Sequence, residues 1–292
     1  MQINDEFYEL NKYYHRNFIL TGIPRSGTSM VAKILNSLDN VVCLNEVEDV
    51  NRGVNFYDVP MLPGMFSAIR QMLWAGDAIP NRYDGAGGVT SNTMKEGEQL
   101  HWRNVEGVIE KDVVIGSKIN APYLGRLNEL FFNRFRIYVI TRHPVYVIGS
   151  YQMPYTATLN IANPLTDVRY DQFKFENEYA ARWRSAQARQ DVVCDEDVLL
   201  AKIHCQAELW NWFAQQVMLT GLVAWRYEDI VADPKKYALQ FMNDFDMVDH
   251  MASANVLEPM ENQNKDKYPH MDLIRDAVKM WCKAAKHFGY EI

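Results

Sequence analysis

Hydrophobic and polar positions change period several times along the chain, and each change marks an element. Phe18-Ile-Leu-Thr21 is a short apolar run that stops at Gly22, which reads as a strand buried on both faces. From Ser29 the period lengthens: Met30, Val31, Ile34, Leu35 and Leu38 fall on one helical face. Val41-Val-Cys-Leu44, Val113-Val-Ile-Gly116, Ile137-Tyr-Val-Ile140 and Leu222-Val-Ala-Trp225 repeat the strand pattern. Between the last two runs, Ile203, Ala207, Trp210, Phe213 and Val217 keep helical phase within Leu199 to Leu219, with Gly221 just beyond. Asp233-Pro234 has the form of a cap followed by proline at the first helical position. A last helix is expected from about Asp272 to Phe288, ended by Gly289.

Strands alternating with helices imply an α/β fold, a central parallel β-sheet flanked by helices, here expected as a single domain over 1–292. Residues 51–108 are the least regular stretch, with Pro60, Pro63, Pro80 and the Gly85–Gly88 cluster. That stretch and 151–200, polar and aromatic, are expected to cover the sheet rather than to form domains of their own.

Composition narrows the class. The 292 residues are 48% hydrophobic and 23% charged, a globular balance. The formal charge of -7 disfavours a nucleic-acid binder, which would be basic. Cys43, Cys194, Cys205 and Cys282 form no CxxC pair and are expected as buried free thiols. The acidic N-terminus lacks the apolar core of a signal peptide, and no run reaches 18 apolar residues. A soluble cytoplasmic protein without a membrane partner is the expectation.

The most informative segment is Gly22-Ile-Pro-Arg25-Ser26-Gly27-Thr28-Ser29, between a strand and a helix. Against the spacing GxxxxGK[ST], Gly22 and Gly27 hold the glycine positions, Thr28 replaces lysine and Ser29 follows. Glycines let backbone approach an anion, and a helix starting just after them turns free N–H groups toward it. A phosphate site is expected; the bland alternative is a strand–turn–helix corner that needs glycine only to turn.

Pro24-Arg25-Ser26-Gly27-Thr28-Ser29 closely resembles the 5′-phosphosulfate loop of the family of sulfotransferases that use 3′-phosphoadenosine-5′-phosphosulfate (PAPS). A second element strengthens the resemblance. Arg142, with Pro144 two residues on and Ser150 eight residues on, follows the strand Ile137–Ile140 in the family's spacing. The resemblance implies a P-loop-like strand–loop–helix in which Arg25, Ser26, Gly27, Thr28 and Ser29 bind the phosphosulfate. It also implies that Arg142 and Ser150 bind the 3′-phosphate, where a guanidinium fork suits phosphate oxygens. Such a donor needs no lysine for a γ-phosphate. His143 is a departure, since many relatives carry an acidic or polar residue there. Ile115-Gly-Ser-Lys118-Ile-Asn-Ala-Pro122, Trp225-Arg-Tyr-Glu-Asp-Ile230 and Trp281–Tyr290 are weaker matches.

Sulfuryl transfer is an in-line displacement, so catalysis rests on positioning, a base and charge stabilisation. Glu46 is the expected base: it follows Val41–Leu44 at the strand ends where ligands collect in such sheets, and the resemblance assigns a base there. Glu48, Asp49 and His101 are its rivals; Arg25 and Lys118 are the expected charge stabilisers. The expected co-substrate is PAPS, with PAP (3′,5′-adenosine bisphosphate) as product and no metal. The expected partner is a small organic alcohol, phenol or amine; a homodimer stays open. Tyr57, Phe66, Trp74, Trp102, Tyr151 and Tyr155 are acceptor-lining candidates or core residues. The alternatives are a P-loop nucleotide kinase or nucleoside triphosphatase, and a non-catalytic protein of the same fold.

Overall fold

Asn17–Gly22 (β1) is buried at all six positions, as a central strand must be when both sheet faces are covered. This and all that follows is read from a computed structural model, which describes residues 12–47, 62–83, 89, 100–105, 107, 109–119, 135–154, 164–165, 174–189, 194–262 and 268–292. β1 pairs in parallel with β5 (Val114–Lys118) on one side and β6 (Arg136–Thr141) on the other. β2 (Val41–Asn45) pairs in parallel with β5, and the strand order is β2-β5-β1-β6-β7, with β7 at Ala224–Arg226. The chain is therefore an α/β protein with a central parallel sheet of five strands. Each strand expected from an apolar run is present, with ends displaced by a residue or two.

The described residues fall into two compact units. The first draws on Met1–Gly22, Gly27–Ile140 and Thr220–Asn262 and holds the sheet. Helix α1 (Thr28–Asn36) buries the expected stripe Met30, Val31, Ile34 and Leu35 on the sheet face that carries Phe18, Leu20, Tyr138 and Ile140. Phe18 meets Tyr138 and Phe241 edge-on, with ring centroids 6.0 and 5.0 Å away. Asn36 seals part of the outer edge of β2: its Nδ2 donates to Cys43 O at 2.7 Å and its Oδ1 accepts from Cys43 N at 3.0 Å.

Residues 51–108 are more regular than expected where they are described. Helix α2 (Leu62–Ala75) buries Leu62, Phe66, Ile69, Arg70 and Leu73, a helical stripe. Pro63 and Gly64 obscured it, but both sit in the first turn, where proline is tolerated. Arg70 interrupts the apolar stripe: nearly fully buried, it donates to Val113 O and, at 2.8 Å, to Asn17 Oδ1. Burial lowers its pKa to about 10. Strands β3 (Ile79–Arg82) and β4 (Leu100–Arg103) then pair antiparallel.

The second unit draws on Ile23–Ser26, Thr141–Leu219 and Gln263–Ile292. Helix α3 (Pro144–Tyr151) is capped by His143, whose Nδ1 accepts from Val145 N at 3.3 Å. His143 therefore serves as a helix cap. Helices α4 (Glu178–Arg189) and α5 (Asp195–Thr220) are joined by a buried carboxylate. Glu208 accepts from the backbone N–H of Glu176 and Asn177, at 2.8 and 2.9 Å, and Asn177 Oδ1 accepts from Ala180 N at 2.7 Å. Asp233 caps α7 (Pro234–Asp244), which follows α6 (Tyr227–Ala232) in the first unit, as the sequence predicts.

Two expectations need correction. The last helix is not continuous: α8 (Met271–Trp281) stops at Cys282 and a 3₁₀ segment, Lys283–Phe288, follows. The N–H of Ala284 turns instead to Asn211 Oδ1 at 2.8 Å. Cys43, Cys205 and Cys282 are buried free thiols, but Cys194 is exposed, its Sγ 3.1 Å from Asp197 Oδ2 in the first turn of α5. Among the described residues no helix is long and apolar enough to cross a membrane.

His204 in α5 is a buried acid-sensitive point. Its Nδ1 accepts from Trp281 Nε1 at 2.9 Å, and the Tyr179 ring lies 4.5 Å away. Burial lowers its pKa below the ordinary 6.5, against a smaller opposite pull from Glu178 and Asp276. The unfolded chain therefore takes up this proton before the folded one. The stability His204 lends is present above pH 6.5 and is lost as pH falls through the folded value. Thermal melting between pH 7.5 and 5 is expected to show a smaller fall for His204→Gln than for the parent protein; equal falls would contradict this.

Candidate active site at the strand ends

Glu46 and Lys118 meet beyond the carboxyl ends of β2 and β5, within the first unit. The parallel register sets Asn45 beside Lys118, so the next residue of β2 emerges against the end of β5. Lys118 Nζ donates to Glu46 Oε1. Both side chains are largely shielded, at 5% exposure for Lys118 and 15% for Glu46. Shielding strengthens the attraction and also makes either charge costly without the other. Glu46 has φ of 51°, a left-handed conformation that a residue with a Cβ adopts only when its surroundings hold it there. Its N–H donates to Lys118 O at 3.3 Å and its carbonyl accepts from Arg82 Nε at 3.1 Å.

Asn81, almost fully buried, fastens β3 alongside β2 just ahead of Glu46. Its Oδ1 accepts from Asn45 N at 2.8 Å and Arg82 N at 2.9 Å, and its Nδ2 donates to Cys43 O at 3.1 Å. Asn81 and Arg82 carry no signal in the sequence, because their partners lie 36 to 38 positions away. His101, half-buried, sits opposite Asn81 in the β3–β4 register, and Trp102 is 60% exposed. Cys43 is held in its neutral thiol form by burial, which outweighs the opposing pull of Lys118, and is inert as a nucleophile.

The loop after β1 begins with a turn: Ser26 N donates to Ile23 O at 3.0 Å, with Pro24 second and Arg25 third at φ of 67°. Proline at the second position and positive φ at the third fit a type II turn, where glycine is the usual third residue. Within the second unit this turn is held from two sides. Arg142 Nη1 donates to Arg25 O at 3.1 Å, and Tyr151 Oη donates to Pro24 O at 3.0 Å. Ser26 is fully buried, and among the described residues its hydroxyl has no hydrogen-bond partner. Tyr268, whose ring packs against Gly149, brings its hydroxyl 3.5 Å from Arg142 Nη2. Ser150 is buried in α3 and its hydroxyl donates back to Val147 O at 2.7 Å.

The loop glycines have packing reasons of their own, all in the first unit. A Cβ on Gly22 would fall on the carbonyl oxygen of Ile140. One on Gly27, which has φ of 87° and caps α1, would lie 2.5 Å from Tyr227 Cδ2. Thr28 and Ser29 open α1, where the first N–H groups lack carbonyl partners inside the helix. Of the aromatic candidates, Phe66 is core, Trp74 packs edge-on against Tyr13 at 5.5 Å, and Tyr151 supports the loop rather than lining an acceptor pocket. Glu48, Asp49, Tyr57 and Tyr155 lie outside the described residues.

No protein-family model matches the chain, and no curated protein is significantly similar to it.

Glu46→Gln leaves the Lys118 charge shielded and without its carboxylate. It is expected to cost about 2 kcal/mol in denaturant unfolding, the order found when one partner of a buried polar pair is removed. Adding Lys118→Met is expected to recover most of that loss. Strictly additive losses in the double variant would show that the pair contributes nothing as a pair.

Proposed function

We propose that this protein is a sulfotransferase that moves the sulfuryl group of PAPS to the hydroxyl or amine of a small organic acceptor. The observation that carries the reading is the contact between Glu46 and Lys118. Position after a strand and family resemblance select Glu46 as base, and the resemblance separately selects Lys118, 72 positions away, as charge stabiliser. Glu46 follows the carboxyl end of β2 and Lys118 is the last residue of β5, at the edge of a parallel sheet where ligands collect. The unsatisfied Ser26 hydroxyl and the positive φ of Arg25 add support, since strained backbone and orphaned donors gather at binding sites.

In this reading Arg25, Ser26, Gly27, Thr28 and Ser29 take the 5′-phosphosulfate, and Arg142 and Ser150 take the 3′-phosphate. Glu46 accepts the proton of the acceptor hydroxyl as its oxygen bonds to sulfur. The bond from sulfur to the bridging phosphate oxygen breaks, and PAP departs with that electron pair. Lys118 and Arg25 meet the charge growing on the oxygens around sulfur. Lys118 carries three N–H donors, so in this reading it orients the Glu46 carboxylate with one and faces the donor with another.

Ligand-induced stabilisation tests the donor assignment. PAP at about a hundred times its Kd adds about 2.7 kcal/mol to folding and so raises Tm by several degrees, whereas Mg-ATP does not. Arg142→Ala is expected to shrink the PAP shift. Stabilisation by Mg-ATP with none by PAP would replace this reading with a nucleotide kinase or triphosphatase.

A further inference from the structure

We infer that Asn81 and Arg82 are positioning residues that hold Glu46 in its left-handed backbone conformation and thereby keep its carboxylate on Lys118. The contacts stand by themselves; that the group so positioned is a catalytic base rests on the sulfotransferase reading. A residue with a Cβ at φ of 51° relaxes toward negative φ unless hydrogen bonds fix the peptide groups on both sides of it. Here they are fixed. Ahead of Glu46, Asn81 Oδ1 accepts from Asn45 N at 2.8 Å and Asn81 Nδ2 donates to Cys43 O at 3.1 Å. At Glu46 itself, the N–H is taken by Lys118 O and the carbonyl by Arg82 Nε, at 3.3 and 3.1 Å.

Three of these contacts come from two adjacent residues of β3, and the same Asn81 oxygen also orders the N–H of Arg82 at 2.9 Å. One side chain thus sets both the edge of β2 and the approach of the guanidinium. β2 is the last strand of the five-stranded sheet, so among the described residues no further strand of that sheet braces its outer edge at Glu46. A sheet edge is braced in this way by side-chain amides that imitate a neighbouring strand. Asn36 does so farther from the site, at Cys43. Asn81 and Arg82 do so at the candidate base, and they also tie the β3–β4 hairpin, with His101 and exposed Trp102, to that base.

The test is the reactivity of Lys118 toward N-hydroxysuccinimidyl acetate, read by peptide mass spectrometry on the full chain and normalised to exposed Lys33. An ammonium held on a carboxylate acylates slowly. Asn81→Ala and Arg82→Met, compared with Glu46→Gln, are expected to raise Lys118 acylation about fivefold to tenfold, the range set by losing one or two hydrogen bonds. Arg82→Lys, which keeps a donor, is expected to restore most of the protection. Should Asn81→Ala not fold, Arg82→Met, which alters a half-buried rather than a buried side chain and removes the bond to Glu46 O, carries the test alone. If both variants melt like the parent and acylate like the parent, the inference is wrong. In turnover with PAPS, the same variants are expected to lower kcat about tenfold with KM for PAPS within twofold. A fall in stability with kcat unchanged also overturns it. Absence of any turnover by the parent protein would remove the sulfotransferase reading, while raised acylation would still uphold the positioning.

Discussion

The contact between Glu46 and Lys118 depends on more of the fold than any other pair at the candidate site. It requires β2 and β5 to be neighbours in parallel register, so that Asn45 lies beside Lys118. It requires the chain to turn through a left-handed residue directly after β2. It also requires shielding from water, since an exposed lysine–carboxylate pair contributes little and holds neither side chain in place. The hydrophobic work of the sheet secures the first condition through Phe18, Leu20 and the α1 stripe, and the β3–β4 hairpin secures the second.

The sequence discloses elements whose burial follows a simple period. The five sheet strands, α1 and α5 are legible because each is apolar on one stripe or on both faces, and the start of α7 is legible from the Asp233-Pro234 cap. α2 is not, because Pro63 and Gly64 act as breakers only when they fall inside a helix, and because Arg70 is a charged residue used as a core residue. The break between α8 and the 3₁₀ segment is invisible for another reason. It depends on Asn211, 73 residues away, taking the N–H of Ala284. Candidate site residues divide in the same way. Glu46 is proposed from its place after a strand and Lys118 from a resemblance, whereas Asn81, Arg82 and Tyr268 enter through contacts with partners distant in the chain.

The loop after β1 teaches a narrower lesson. Its two glycines invite a phosphate-binding interpretation, yet Ile140 O and the Tyr227 ring already exclude a Cβ at Gly22 and Gly27. Glycine spacing therefore cannot separate an anion cradle from a tightly packed corner here. What distinguishes the loop lies between the glycines: Arg25 at positive φ, its carbonyl held by Arg142, and the Ser26 hydroxyl, which has no partner among the described residues.

The central claim is that this ion pair serves a chemical step rather than only closing a sheet edge. The measurement that bears on it most directly is transfer of radiolabelled sulfuryl from PAPS to a panel of alcohols, phenols and amines, by the parent protein and by Glu46→Gln. The account predicts transfer to at least one hydroxyl acceptor, reduced about a hundredfold or more in the variant, as expected when a general base is removed. Transfer at an undiminished rate by Glu46→Gln, in protein that still binds PAP, would contradict it.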